Sequence, residues 1–555
     1  MTVPARLSAT LVLVRDGGDG TPEVLMVRRA DRGDQNSHAW VFPGGILDAT
    51  DRALHAHFHD SDDAQASARL GLDAGGLDYW AAALRETLEE AGLLLAVDAQ
   101  GRAVDAAAHA PRLAAWRAHC RTLARGEGGA AFAALCAEHG WRLPARVLHP
   151  IAHWITPHGM PKRFDTRFLL AEAPRDQQVV IDGVEIVDHR WVNPAQGPEE
   201  DAVMRGPARA VLQDLARHAD VKSLLAWAAA LSVATAIQPR LARDARGRLA
   251  PVHPSHPSFA EIGRIDPQGG GHAHSVIRAG APVILSDRVQ RLTANNGGLM
   301  TGPGTNTYLL RAARDDWVLV DPGPDDAAHV QATLALLKNL NATLRAILVT
   351  HTHIDHSPAA RAVKAATGAP IHGRVADFPQ GQDPGFAPDV PLAGGEALDF
   401  GGGLVLHVVH TPGHASNHLC YRHDRMLFTG DHVMQGSTVI INPPDGDMAA
   451  YLASLAALAD DERFDVIAPG HGFLIEQPQR LLRALIAHRR KREAKVRAAL
   501  VALRSATLDE LVVRVYDDVG AERHPIARRS LLAHLLHLKA LRRAQQADDG
   551  RWAAL

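Results

Sequence analysis

The sequence predicts a multi-domain α/β protein, and three observations carry that expectation. The chain has 555 residues, more than one hydrophobic core organises, and at about 150 residues per domain it suggests three or four domains. Short apolar runs alternate with helical patterns, the rhythm of layered α/β folds. Potential metal ligands follow apolar runs directly at four separate places, where the strand ends of an α/β sheet present reactive groups.

Composition narrows the class. Hydrophobic residues make up 46% and charged residues 22%, ordinary globular material rather than a disordered or membrane-spanning chain. The net charge of -3 offers no global attraction to nucleic acid or an anionic membrane. The cysteines are Cys120, Cys136 and Cys420. Odd in number and widely spaced, they argue against a disulfide framework and for a reducing compartment, so a cytoplasmic location is expected. Residues 1–25 show no basic start followed by a long apolar core, so no signal peptide is expected. The longest apolar runs, such as 224–236, are too short to span a bilayer.

In the first module, residues 9–14 and 23–28 predict the two strands of a hairpin around Asp16-Gly17-Gly18-Asp19-Gly20. Gly44-Gly45, after Trp40-Val41-Phe42-Pro43, allow tight turns and close approach of a ligand. Residues 79–93 predict a helix that stops at Gly92. Glu86 lies three and four residues before Glu89 and Glu90, so all three share one helix face. Like charges so placed repel unless a cation sits between them, and a hard divalent ion takes such oxygen ligands. The competing reading is a solvated acidic face. Residues 153–154 and 163–170 predict further strands, and 111–140 an alanine-rich helical lid or substrate-selecting insertion.

The run Arg85-Glu86-Thr87-Leu88-Glu89-Glu90-Ala91-Gly92-Leu93 resembles the second half of the Nudix hydrolase box, with Thr87 in place of an aliphatic residue. Gly44-Gly45 resemble its start. Residues 49–78 read as an insertion between the halves, and Asp51 falls at the spacing of the first box glutamate. The start is similar to that of the branch containing the peroxisomal coenzyme A diphosphatases. The resemblance implies a Nudix α/β/α sandwich that cleaves a nucleoside diphosphate linked to another moiety. It implies Glu86, Glu89 and Glu90 as ligands of Mg2+ or Mn2+, with the Gly45 carbonyl as a further candidate, and Arg85 orienting the carboxylates. A later catalytic acid is left open among Glu172, Asp182 and Glu185.

Residues 238–275 are rich in Pro, Gly, His and Arg and predict a linker. The second module then alternates strands at 282–292, 308–311 and 317–320 with a helix at 327–339. The apolar run 346–349 ends at His351, His353, Asp355 and His356, four potential ligands within six positions. His414 follows the run 404–409, Asp431 follows 427–428, and His471 follows 466–468. The ordered set resembles the metallo-β-lactamase superfamily and implies its αββα sandwich. The resemblance implies His351, His353 and His414 around one metal, Asp355, His356 and His471 around a second, and Asp431 bridging both. Two Zn2+ are the expected ions, and a bridging hydroxide the nucleophile, with Asp355 also helping to orient it. His410 and His432 have no place in that set. His418 is left open for a supporting role.

Residues 480–504 form a basic amphipathic helix, Thr507-Leu508-Asp509-Glu510 is a capping-box pattern, and 527–544 make a third helix. Gly550-Arg551-Trp552 suggests a wing strand. Together these resemble a small winged-helix domain of the kind that follows a lactamase-like hydrolase. The expected domains are 1–237, a linker at 238–275, 276–478, and 479–555.

The leading expectation is a bifunctional metal-dependent hydrolase acting on small molecules, a nucleotide-type diphosphate at one centre and a thioester or ester at the other. The alternative is an RNA-processing enzyme whose lactamase-like module cuts single strands held by the winged helix. Nucleic acid is thus left open as a partner, though not favoured, and no membrane partner is expected. A third reading makes the Nudix half an inactive binding module.

Overall fold

Two strands, Arg6–Asp16 and Pro22–Arg29, open the first of two units into which the computed structural model divides, Met1–Pro239 and Arg240–Leu555. The structure describes every residue except 1, 2, 32, 34–36, 125, 199–202, 205 and 437. In the first unit Arg6–Asp16 runs parallel to Phe164–Glu172 and antiparallel to both Pro22–Arg29 and Gly44–Ile46. Alternation along the strands sorts side chains onto two faces. Leu11, Leu13, Leu25 and Val27 join Trp80, Leu84 and Leu88 of the helix Gly76–Ala91 in one core. Val12, Val14, Val24 and Met26 join Val211, Leu212 and Leu224 in another. Helices on both faces of one mixed sheet make an α/β/α sandwich.

The predicted insertions are packed parts of this unit. Residues 49–78 form a short 3-10 turn, Asp51–His57, and the helix Asp63–Leu70, whose Leu54, Ala66 and Leu70 lie in the same core as Trp80. The alanine-rich segment forms Ala110–Cys120 and Gly128–His139, which contribute Leu113, Trp116 and Phe132 to that core. Thr87, the departure from the aliphatic pattern, is fully buried, and its hydroxyl donates to the Ala83 carbonyl one turn back at 2.7 Å. A buried hydroxyl needs such a partner, and the helix itself provides it.

In the second unit a seven-stranded sheet and a six-stranded sheet share one apolar core. Leu310, Val318, Ala346 and Leu348 from the first meet Leu406, Tyr421, Phe428 and Ala468 from the second. Helices Ala327–Asn339 and Ala360–Thr367 accompany the outer core of one sheet through Leu336, Leu337 and Val363. Helices Met448–Ala459 and Pro478–Leu503 do so for the other through Tyr451, Leu455 and Leu482. The result is an αββα sandwich.

The linker expected over 238–275 is corrected by the structure. Arg240–Arg243 and Leu249–Val252 pair as antiparallel strands, and Phe259–Ile265 is a helix. Ala242, Val252, Ile262 and Ala273 form a small core of their own. Glu261 accepts from Arg291 at 2.6 and 2.9 Å and from the Leu474 amide at 3.1 Å, with both charged residues buried. Pro and Gly marked turns between short strands here, which composition alone does not separate from a linker. Breaking one side of a buried ion pair strands the other charge. Glu261→Ala is therefore expected to destabilise this unit by about 3–5 kcal/mol, read as a lower midpoint in denaturant unfolding.

The tail forms helices Leu508–Val515 and His524–Ala540 and a hairpin of Ala544–Gln546 with Trp552–Ala554. Thr507 and Glu510 make a reciprocal capping box. Within the basic run, Arg489 and Arg492 are buried. Arg489 donates to the Val439 carbonyl and lies over Tyr451, and Arg492 pairs with Asp518 at 2.7 Å and lies over Tyr516. Two of the four charges in the run Arg489-Arg490-Lys491-Arg492 are thus used in packing.

Candidate functional site

In the second unit each of four strands ends just before a cluster of ligand-type residues. Thr343–Leu348 leads to His351, His353, Asp355 and His356, and Val405–His410 to His414. Met426–Gly430 leads to Asp431, and Val466–Pro469 to His471. These strand ends bring all seven together. His351 Nε2 and His353 Nδ1 are 3.0 Å apart, and His414 Nε2 is 3.1 Å from the same His353 nitrogen. In a second group Asp355 Oδ2 lies 3.4 Å from the Nε2 atoms of both His356 and His471. Asp431 stands between the groups. Its Oδ1 is 3.3 Å from His356 Nε2 and 3.1 Å from His471 Nε2, and its Oδ2 is 3.9 Å from His414 Nε2.

The far side of most imidazoles is fixed, which decides the tautomer. Thr350 Oγ1 donates to Asp321 Oδ2 at 2.8 Å, so it accepts from His351 Nδ1 at 3.0 Å and leaves His351 Nε2 as a lone pair. His356 Nδ1 bonds Asp321 Oδ2 at 2.9 Å, His414 Nδ1 the Ile440 carbonyl at 2.8 Å, and His471 Nδ1 the Gly304 carbonyl at 3.1 Å. In each case Nε2 faces the cluster. Outer hydrogen bonds of this kind orient ligand histidines. Thr305 Oγ1 donates to Asp355 Oδ2 at 3.0 Å.

Electrostatics divides the groups. Burial, followed by crowding from neighbouring imidazoles, holds His351 well below its usual pKa, and His353 falls to about 3. Burial also opposes charge on His356 and His471, but there the nearby carboxylates win. Asp355, Asp431 and Asp321 raise His356, and Asp431 and Asp355 carry His471 to about 9. Acidic groups that draw protons onto buried histidines have the charge balance of a cation site. His356 Nε2, His471 Nε2 and Asp431 Oδ1 are buried, close together and without hydrogen bonds. Buried polar atoms are rarely left so, and a shared metal ion would satisfy all three. The donor set fits.

Asp321 and Thr350 escaped the sequence reading. The signal was present, since Asp321 directly follows the apolar strand Asp316–Val320, the pattern seen at the four other strand ends. Asp321→Asn is expected to lower zinc affinity by about 10- to 100-fold, measured by competition with a chromogenic chelator. His418 stacks on His351 with ring centroids 4.9 Å apart and bonds Thr411 Oγ1 at 3.0 Å, which places it behind the cluster. His410 bonds the Ser416 carbonyl, and His432 packs on Tyr451.

In the first unit the helix Gly76–Ala91 carries Arg85, Glu86, Glu89 and Glu90. Arg85 is buried and donates to Asp51 at 2.7 and 3.1 Å, to Glu86 at 2.8 Å, and to the Ile46 carbonyl at 3.1 Å. Glu89 lies 3.4 Å from the same guanidinium. Glu90 accepts from the Gly44 amide at 3.0 Å. A Cβ on Gly45 would fall 2.3 Å from the Glu86 carboxyl, so any larger residue there would push that carboxyl aside. Burial raises all three glutamates, Glu89 to about 7. The three carboxylates are less closely gathered than the histidine groups. Among the described residues, the sets of three ligand atoms within 4.8 Å of one another all lie in the second unit. Arg85 draws Glu86 and Glu89, while Gly44 holds Glu90. Of the three acids left open, Glu185 is the one whose charge pushes both Glu86 and Glu90 upward. Glu172 pairs with Arg175, and Asp182 accepts amides of its own loop.

Two facing sheets with histidines and aspartates gathered at their strand ends define a hydrolase of the metallo-β-lactamase fold, here in one chain with a Nudix fold. The chain belongs to the metallo-β-lactamase superfamily. That family's description matches residues 300–471, the "NUDT19 Nudix domain" matches 55–201, and the "Beta-lactamase associated winged helix domain" matches 507–552. The "Beta-lactamase-like protein 2 homolog" of Drosophila melanogaster is 30% identical over 279 residues, 48% of this chain and 93% of the relative. The "Lactamase-like protein aptB" of Emericella nidulans is 28% identical over 43% of this chain and 78% of its own length. The "Atrochrysone carboxyl ACP thioesterase" of Passalora fulva is 28% identical over 45% and 75%. Among the described residues no helix is long and apolar enough to cross a membrane.

Proposed function

We propose that the chain is a bifunctional metal-dependent hydrolase whose lactamase-fold centre opens a thioester or ester. The observation that carries this reading is Asp431, set with one carboxylate oxygen toward His356 and His471 and the other toward His414. His351, His353 and His414 would hold one ion, Asp355, His356 and His471 another, and Asp431 both. Two such cations, when bound, supply Lewis acidity and an activated water. The residues themselves hold the ligand nitrogens in one tautomer, keep the acidic groups ionised, and place Asp355 beside the second group to orient a nucleophile. Relatives named as thioesterases support an acyl-transfer reading.

The first unit would cleave a nucleoside diphosphate linked to a second moiety, with coenzyme A as a leading candidate. Glu86, Glu89 and Glu90 would hold Mg2+ or Mn2+, Arg85 and Asp51 would fix the helix face, and Glu185 is the preferred further acid. Acylated coenzyme A joins both chemistries, a diphosphate and a thioester. The burial of Arg489 and Arg492 leaves the tail less charge for RNA than its sequence suggests. The zinc- and magnesium-loaded full chain should be given acyl-coenzyme A, coenzyme A and single-stranded RNA. Thioester and diphosphate cleavage without RNA cleavage is the expected result, and RNA cleavage alone would overturn the reading.

A further inference from the structure

Three segments border the histidine cluster, and each carries exposed apolar side chains. The first is the turn at 296–305. Asn296 clamps Thr305 through two 2.9 Å bonds, Gly298 pairs with Gly302, and Thr305 in turn touches Asp355 and pairs with His471. At the tip of that turn Leu299 is 62% exposed, and Met300 beside it is also exposed. The second is the cluster loop itself, where Ile354 stands between His353 and Asp355 and is 66% exposed. The third is 374–383, strapped to the other side. Its Arg374 carbonyl accepts from Asn417, the Asp377 amide donates to Ser416 two residues beyond His414, and the Asp383 amide donates to Thr352 between His351 and His353. It exposes Val375 and Phe378.

Exposed apolar residues scattered singly need no explanation, but a group around a reactive centre marks a binding surface. Charge tells which ligand fits. The only Lys or Arg in these three segments is Arg374, set against Asp355, Asp377 and Asp383. A phosphate backbone calls for several cations, whereas a hydrocarbon chain calls for none.

We propose that Leu299, Met300, Ile354, Val375 and Phe378 form an acyl-recognition rim, which takes the hydrophobic acyl chain of the substrate as its carbonyl reaches the Asp431 centre. This rests on the ester or thioester reading above. It makes the rim residues determinants of specificity, with no part in the chemical step. Chain length should therefore be read through binding, and truncating the rim should spare short substrates.

The test uses the zinc-loaded full chain, Met300→Ser and Phe378→Ser, with N-acetylcysteamine thioesters from acetyl to octanoyl. Calorimetric binding of acetate, hexanoate and octanoate runs in parallel. In the parent protein kcat/KM and carboxylate affinity should each rise by about threefold per methylene over the first few. The two variants should flatten that slope, losing most on the octanoyl thioester and least on the acetyl. A flat profile in the parent, or an unaltered slope in both variants, overturns the rim. If no thioester is turned over but carboxylate binding still grows with length and flattens in the variants, the rim stands and the thioester reading falls. Weakened binding of single-stranded RNA by the variants, with no chain-length dependence, overturns the rim in favour of nucleic acid.

Discussion

Asp431→Ala is expected to lower kcat/KM for thioester hydrolysis by about a thousandfold or more and to reduce bound zinc from two ions per chain toward one or none. The size follows from position. Asp431 approaches both histidine groups, so its loss would remove a ligand from each of the two ions proposed for the site and the negative charge that would offset them. Among the described residues its Oδ1 is one of three buried polar atoms without hydrogen bonds that face one another, with His356 Nε2 and His471 Nε2. Removing it leaves the Nε2 atoms of His356 and His471 without the carboxylate oxygen nearest to them, and their Nδ1 bonds to Asp321 and Gly304 keep the rings in place. The fold should therefore survive, and a circular dichroism spectrum like that of the parent would show it. Zinc content by mass spectrometry and thioester turnover decide the matter. Retention of two zinc ions with full activity would defeat the assignment. The neighbouring Gly470 offers a second route to the same result. A Cβ there would lie 2.6 Å from Asp431 Oδ1 and 2.8 Å from His356 Cε1, so Gly470→Ala should displace both ligands.

Glu90→Gln is expected to reduce diphosphate cleavage by about 100-fold or more while leaving thioester turnover unchanged. A metal-bound carboxylate supplies several kcal/mol of charge stabilisation that a neutral amide does not. The exchange is gentle on structure, because a glutamine side-chain oxygen still accepts the Gly44 amide that Glu90 now accepts. It also removes a buried charge whose pKa burial and Glu86 hold well above the usual carboxylate range. Thermal stability should therefore hold or rise. Release of a mononucleotide from coenzyme A, followed by chromatography with Mg2+ and again with Mn2+, measures the effect. Undiminished cleavage would remove Glu90 from the site. A parallel loss of thioester turnover would show that the two centres do not act independently. Arg85 makes the contrasting variant. It joins Asp51, Glu86 and Glu89, so Arg85→Met strands buried carboxylates and should lower stability together with activity.

Much of this protein was legible before any coordinates. The helix at 327–339 is found at Ala327–Asn339 because Asp326 caps its start, and the tail helix at 508 begins where Thr507 and Glu510 cap each other. Met426–Gly430 and Val466–Pro469 appear as apolar runs because both faces of those strands are buried. The linker expected over 238–275 instead holds two paired strands and a helix. These are held by Glu261 and Arg291, thirty positions apart, and by an amide at Leu474. No local pattern reports such partners. Asp51 was equally ambiguous, since the sequence between it and Arg85 is long and variable in character, yet in the folded unit the two form a buried bidentate pair.

The sequence by itself determined the classes of residue, their order and the strands that end at them, because these depend on local periodicity and on side-chain chemistry. It determined that His351, His353, Asp355 and His356 belong together, for they are neighbours in the chain. Only the tertiary structure decided that Asp431 stands between two groups and that Asp321 and Thr350 set the tautomers. Those relations join residues tens of positions apart. Distance, burial and the direction of a lone pair exist only once the sheets have closed around them.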